Sequence, residues 1–394
     1  MISKFFKTLM LALLGTLFFV GTTNAQTQQN ASVEEHYLKV KFAVELYGYL
    51  KLDMAYDTAR LSVGNFARWV ESETTNEDDD EFNITVNQSR FGLKFAGPDS
   101  ATLKTSGLVE FDFYGGGAEN KPNPMLRHAY LQLTWLEQGL SLLAGQTADV
   151  ISPLNPSTIN YAVAWWAGNI GYRRPQLRLT GEWGDSTKLI FQIALTRTIG
   201  DGPTFSPGDT GEDAGYPTVQ SRLALSFPIT DKKATIGVSG HWGMEEYDYN
   251  NVGNNEDFRS WSLNAEATIP LMSWLTFQGE FFYGENLDDY LGGIGQGVNL
   301  AALEEIQAMG GWATLNFGPF GAWRFVLGGN VDDPDDDDLS TGSCSLNVTW
   351  WANLTYDINK AVQVGLEGAY WYTEYKGEED SDSIRVQTAF IYKF

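Results

Sequence analysis

Val44-Glu-Leu-Tyr-Gly-Tyr-Leu-Lys-Leu-Asp-Met-Ala-Tyr56 decides the fold. Its even positions read Val44, Leu46, Gly48, Leu50, Leu52, Met54, Tyr56; its odd positions read Glu45, Tyr47, Tyr49, Lys51, Asp53. One face is apolar and the other carries charge, the period of two that an extended strand shows when it separates two environments. The pattern recurs downstream. Phe91, Leu93 and Phe95 oppose Arg90 and Lys94; Val109, Phe111 and Phe113 oppose Glu110 and Asp112; Leu177, Leu179 and Trp183 oppose Gln176, Arg178 and Glu182. Further runs at 125–135, 141–147, 187–197, 219–227, 233–243, 259–269, 274–284, 311–317, 320–329, 344–356, 361–374 and 384–394 bring the expectation to 16 strands.

The links alternate in length. Short turns are expected at 96–100, 136–140, 184–186, 228–232, 270–273, Gly318-Pro319 and 357–360, and long polar loops at 57–83, 115–124, 148–172, 198–218, 244–258, 285–310, 330–343 and 375–383. An even strand number with short turns at one end and long loops at the other is the pattern of a transmembrane antiparallel β-barrel. Only helices and closed barrels satisfy every backbone polar group in lipid, and the longest apolar stretch of the later chain, Ala162 to Gly168, is too short to span as a helix. A secreted β-sandwich also alternates, but it turns its apolar face inward and does not gather eight long loops at one end. The last strand puts Ile384, Val386, Phe390, Tyr392 and Phe394 on one face, with an aromatic as the terminal residue.

Residues 1–25 read as a cleaved signal peptide: Lys4 and Lys7, an apolar core from Leu9 to Val20, then small residues up to Ala25. Residues 26–43 follow as a short periplasmic segment and 44–394 as the barrel. The protein is therefore expected in the outer membrane of a Gram-negative cell, in contact with lipid and lipopolysaccharide. The whole chain carries 26 basic and 50 acidic side chains; without residues 1–25 the balance is 24 against 50, a formal charge of −26. Such a polyanion is unsuited to nucleic-acid binding, which rests on Lys and Arg neutralising phosphates. One cysteine, Cys344, and three histidines exclude a disulfide framework and a cysteine metal cluster. No Gly-x-Ser-x-Gly sits in a strand-to-helix context, and His36, His128 and His241 have no nucleophile and orienting group beside them, so no enzyme is expected. An outer-membrane hydrolase and a barrel with a structural or adhesive role for its loops are the alternatives.

Several segments resemble the DcaP-like porins, trimeric 16-stranded channels. They are Tyr47-Gly-Tyr-Leu-Lys-Leu-Asp53, Ser89-Arg-Phe-Gly-Leu-Lys-Phe95, Glu110-Phe-Asp-Phe-Tyr-Gly115, Leu126-Arg-His-Ala-Tyr130, Ala144-Gly-Gln-Thr147 and Arg173-Arg-Pro-Gln-Leu-Arg178. The resemblance is densest over 44–183. It implies a homotrimer, a channel for passive diffusion of small hydrophilic solutes, and a leaning toward dicarboxylates.

The segment 148–172 is the least charged long loop and carries Ile159, Trp165 and Trp166, which would be awkward on an exposed tip. It resembles the inward-folded constriction loop of porins. Arg90, Lys94, Arg127, Arg174, Arg178, Arg222 and Arg324 fall on the strand faces turned to the lumen, and Arg173 lies at the loop's exit. Faced by Asp149, Glu110 and Asp112, they define a candidate positive eyelet, since a charge ring in a narrow pore selects by sign and guanidinium groups bind carboxylates bidentately. The alternative is a lattice in which the same arginines pair with Glu45, Asp53, Glu182, Glu266, Glu280 and Glu367. No cofactor is expected. The acidic runs Glu77–Glu81, Asp332–Asp338 and Glu378–Asp382 are oxygen clusters that would suit Ca²⁺ or Mg²⁺, but none has EF-hand spacing, and charge runs of this kind read first as solvated, self-repelling loops.

Overall fold

The computed structural model describes residues 42–76, 79–116, 122–199, 211–212, 214–229, 231–248, 255–299 and 301–394. The signal segment 1–25, nearly all of 26–43 and part of the acidic run 77–81 lie outside the described residues. Among those described, 16 strands form one antiparallel sheet. They are β1 (Ala43–Asp57), β2 (Glu81–Thr85, resuming as Arg90–Ala96), β3 (Leu103–Asp112), β4 (Met125–Trp135), β5 (Leu140–Ala148), β6 (Arg173–Trp183), β7 (Lys188–Thr196) and β8 (Thr218–Pro228). The circuit continues with β9 (Lys233–Asp248), β10 (Asn255–Met272), β11 (Leu275–Glu285), β12 (Gln307–Phe320), β13 (Trp323–Pro334), β14 (Cys344–Asp357), β15 (Val362–Tyr375) and β16 (Ser381–Lys393). Each strand pairs with its sequence neighbour, and β1 pairs with β16 from Tyr49↔Lys393 to Asp57↔Arg385, which closes the barrel. Closure removes the sheet edges that a sandwich would leave.

The outer skin is oily. Leu50 is 49% exposed, Leu263 64% and Trp350 64%, while their sequence neighbours Lys51, Asn264 and Trp351 on the opposite face are buried. A monomeric water-soluble protein does not present so continuous an apolar face; a barrel in lipid does. Alternation located the strands, but their ends differ in several places, among them Glu81–Thr85, which is paired strand and not loop. Strand β12 runs through Gly318 and Pro319 to Phe320, where a register shift absorbs the Gly-Pro pair, so the turn is 321–322 instead. Strands β9 and β10 stay paired out to Asp248↔Asn255, and β13 extends to Pro334. Both occupy stretches that polarity marks as loop, because barrel strands can stand proud of lipid with both faces polar.

The buried apolar side chains lie inside the cylinder. The first loop (58–80) contributes Ala59, Leu61, Ala67 and Val70, packed with Ala167 of the third loop (149–172) and with Trp351, Ala369 and Trp371 of the wall. The sixth loop (286–306) contributes Leu287 and Tyr290, packed with Ile151 and Ile170 of the third. Among the described residues the lumen is thus lined at the loop end by three infolded segments, where the sequence singled out one.

Candidate functional site

The third loop is held by hydrogen bonds from its own backbone to the inner wall. Val150 N–H donates to Gln220 on β8 (2.9 Å) and Ser152 N–H to Ser239 on β9 (3.3 Å). Leu154 N–H donates to Glu280 on β11 (2.8 Å). The Ser157 carbonyl then accepts from Trp351 and Asn353 on β14. Glu367 on β15 accepts Ile159 N–H (2.7 Å) and Asn160 N–H (3.3 Å), and Lys51 on β1 donates to the Ile159 carbonyl (2.9 Å). On the return, Gly168 N–H donates to Asp332 on β13 (3.2 Å). Gly168 has φ +104°, and a Cβ there would lie 2.4 Å from the Val331 carbonyl oxygen, so only glycine allows the loop to approach that wall so closely.

The loop therefore sweeps along the wall from β8 round to β1 and leaves a cavity of about 300 Å³ against the remaining arc. Its wall side carries Tyr49, Gln88, Arg90, Arg127, His128 and Ala148; its loop side includes Asp149, Tyr161, Trp165, Tyr172 and Arg173. Arg127 is clamped: its Nε donates to Glu110 Oε1 (2.8 Å) and its Nη1 to Asp112 Oδ2 (2.7 Å). Arg90 lies 3.6 Å from Glu110 and 4.0 Å from Asp112. Tyr161 donates its hydroxyl to Asp112 (3.1 Å); burial raises its phenol above the ordinary range, so it stays a neutral donor. A register shift between Glu110 and Phe111 lets β4 turn both Arg127 and His128 inward. His128 Nδ1 is 3.0 Å from Thr147 Oγ1. Alternation alone could not settle that strand because the extra residue breaks its period.

Arg173 differs. It is 6% exposed and stacks against Tyr172 (4.5 Å to the ring centroid) and Trp165 (5.3 Å). Its Nε and Nη2 have no hydrogen-bond partner, and no carboxylate lies within ion-pair distance of it among the described residues. Its chain neighbour Arg174 is fully enclosed: its Nε is 2.9 Å from Asp149 Oδ1, its Nη2 donates to the Asp289 carbonyl (2.9 Å), and its guanidinium lies 3.9 Å from the centroid of the Tyr290 ring.

The other candidate residues stand elsewhere. Arg178 donates to Gln176 Oε1 (2.8 Å) and to the Ala148 carbonyl, with no carboxylate in reach among the described residues. Arg222 pairs with Glu266. Lys94 pairs with Glu45 (2.8 Å) and Arg324 with Asp357, both next to short turns and both partly exposed, outside the cavity lining. So the structure lines the cavity with Arg90, Arg127, Arg173 and Asp149, holds Glu110 and Asp112 against its arginines and Arg174 against Asp149, and spreads Arg178, Arg222, Lys94 and Arg324 elsewhere. Of the lumen acids, Glu280 and Glu367 hold the third loop instead of pairing with arginine, as does Asp332, which belongs to strand β13 and is buried, not part of an exposed acidic loop. A sequence signal for two of them existed. Glu367 faces Asn353 and Gln387 across the ladder, and Glu280 faces Glu266 and Trp312, so neither has a cation opposite and each needs donors from elsewhere.

The chain has the fold of the outer-membrane porins. It is similar to the outer membrane channel DcaP of Acinetobacter baumannii, with a TM-score of 0.71 and 19% identity over 90% of this chain and 97% of that one. An anion-selective porin from Comamonas acidovorans gives 0.61 and 12%, over 90% and 100%; Salmonella typhi OmpF in complex with daunomycin gives 0.58 and 13%, over 89% and 97%. No protein-family model and no curated protein sequence matches the chain.

Proposed function

We propose that this chain is a porin of the Gram-negative outer membrane whose constriction lies between the third loop and the β1–β4 arc, and that it favours small anions, dicarboxylates among them. The observation that carries the reading is Arg173: a buried guanidinium with two nitrogens unpartnered, lining the cavity beside Arg90 and Arg127. A cation held in a narrow, partly dehydrated passage attracts anions far more strongly than one in bulk water. The planar fork of a guanidinium matches a carboxylate. Glu110 and Asp112 offset the charge of Arg127 and Arg90, and Asp149 is taken by Arg174, so Arg173 leaves the cavity a local positive excess inside an acidic shell. Passage is diffusive and no group in the site acts as a catalyst. By analogy of fold the working form is a homotrimer in lipid and lipopolysaccharide; one of the similar solved structures, OmpT of Vibrio cholerae, is described as a trimer form.

Planar-bilayer recording of the refolded protein, with a dicarboxylate titrated into potassium chloride, tests the reading. It predicts an ion current that the dicarboxylate blocks in a saturable way and a monovalent cation of similar size does not. A steady current indifferent to the dicarboxylate contradicts the anion preference. The infolding of the first and sixth loops favours one rival, a barrel closed by its own loops with a structural role, and for that rival the recording shows no current.

A further inference from the structure

We propose that Tyr290 and Leu291 of the sixth loop are positioning residues for Arg173: they brace the return arm of the third loop, 161–172, and so fix where that guanidinium stands in the constriction. The inference rests on the reading that Arg173 sets the ion preference. The two arms of the third loop are held differently. The outward arm hangs by its main chain from Gln220, Ser239, Glu280 and Glu367 of the wall. The return arm meets the wall through Asn347 on β14, which donates to the Trp166 carbonyl (3.0 Å), and through Asp332 on β13, which accepts Gly168 N–H (3.2 Å). It also leans on the sixth loop. Trp166 N–H donates to the Leu291 carbonyl (2.7 Å) and Gly171 N–H to the Tyr290 carbonyl (2.8 Å).

The side chains continue the contact. Leu291 is buried in a cluster with Tyr161 and Trp165, and the Trp165 ring is one of the two faces on which Arg173 rests. The Tyr290 ring lies between His241 of β9 and the guanidinium of Arg174, 3.9 Å from each. The dipeptide therefore backs both the aromatic platform of Arg173 and its anchored chain neighbour. The fit is close: a Cβ on Gly292 would stand 2.7 Å from Ile170 Cγ2. The backbone on both sides is left-handed at residues that carry side chains, at Leu291 (φ +63°) and Ile294 (φ +53°) and, facing them, at Val163, Ala164 and Trp166 (φ +45°, +62° and +62°). Such conformations persist only where the surroundings over-determine them. Asp332 ties the two segments together, its carboxylate lying also against the N–H groups of Gly293 and Ile294.

Arg173 has no ion pair among the described residues to set its place. Its position follows from the Trp165 and Tyr172 rings, and theirs from what packs behind them. A recognising group works only when the residues that support it are themselves locked. The sixth loop supplies that lock from outside the cavity lining.

The test joins hydrogen–deuterium exchange of the refolded full chain, read by mass spectrometry on peptides covering 161–172, to dicarboxylate block in planar bilayers. Leu291→Gly should speed exchange of the return arm about tenfold, because the N–H groups of Trp166 and Gly171 open more often. It should weaken block about threefold, because the guanidinium loses its fixed place. Leu291→Met, which keeps the volume, should restore both. Val298→Ala truncates the same loop where it packs on Tyr247 and Phe258, away from the brace; it should lower stability and leave exchange of the return arm and block as they are. Should Leu291→Gly fail to fold, Gly292→Ala replaces it: the added carbon displaces Ile170 and should bring the same pair of changes. Wild-type exchange over 161–172 in the folded variant overturns the brace. Faster exchange with undiminished block, where Arg173→Ala does weaken block, overturns the positioning of Arg173, as does block weakened equally by Val298→Ala. If Arg173→Ala leaves block unchanged, or the wild-type protein shows none, the ion-preference reading falls and takes the positioning of Arg173 with it, while the exchange result still decides the brace.

Discussion

Arg173 and Arg174 are adjacent in the chain and opposite in situation. Arg174 sits on the anchored side of the third loop, salt-bridged to Asp149 and laid over Tyr290. Arg173 sits on the cavity side, supported by two aromatic faces and by no carboxylate among the described residues. Two identical guanidinium groups are thus placed oppositely, one built into the wall and one left facing the cavity, and what divides them is the presence of a counter-ion. The same division runs through the lumen: Glu367 and Glu280 hold backbone, Glu110 and Asp112 hold arginine.

The contrast can be broken from its strongest side first. Asp149→Ala leaves Arg174 buried and uncompensated, a loss of about 3–5 kcal/mol; the barrel's unfolding midpoint in denaturant should fall accordingly, and a shift worth under about 1 kcal/mol would mean Arg174 is not paired as described. Glu367→Ala strands two loop N–H groups, at about 1–3 kcal/mol each when buried. The third loop should then leave the wall, seen as larger and noisier single-channel conductance; unaltered conductance would show that Glu367 does not position it. Arg173→Ala should change the denaturation midpoint by less than about 1 kcal/mol, since no ion pair is lost, while weakening dicarboxylate block several-fold. The smallest effects belong to Lys94→Ala and Arg324→Ala, whose exposed pairs contribute about 0–1 kcal/mol; neither should alter stability or block measurably.

Sequence and structure agree most where one physical constraint acts alone. A strand between lipid and water must alternate, so Val44–Tyr56 already displays β1, and the same test located all 16 strands. The third loop was legible because Ile159 and Trp165 are costly to expose, and both are buried. The first and sixth loops escaped notice because their apolar residues are diluted by polar ones: Asp288 and Asp289 separate Leu287 from Tyr290 and Leu291. The arginines were found, but their division was not. Whether Arg173 or Arg174 meets Asp149 depends on which way the chain leaves the loop, and period two says nothing about a strand's first residue. The inward pair Arg127–His128 depends on an extra residue, which alternation treats as noise.

The central claim is that Arg173 gives the constriction its charge preference. Replacing it with glutamate and recording the reversal potential in a potassium chloride gradient tests that claim most directly. The account predicts that the wild-type channel reverses on the chloride side of zero and that Arg173→Glu crosses to the potassium side. A reversal potential unmoved by the substitution, in a channel of unaltered conductance, would contradict it.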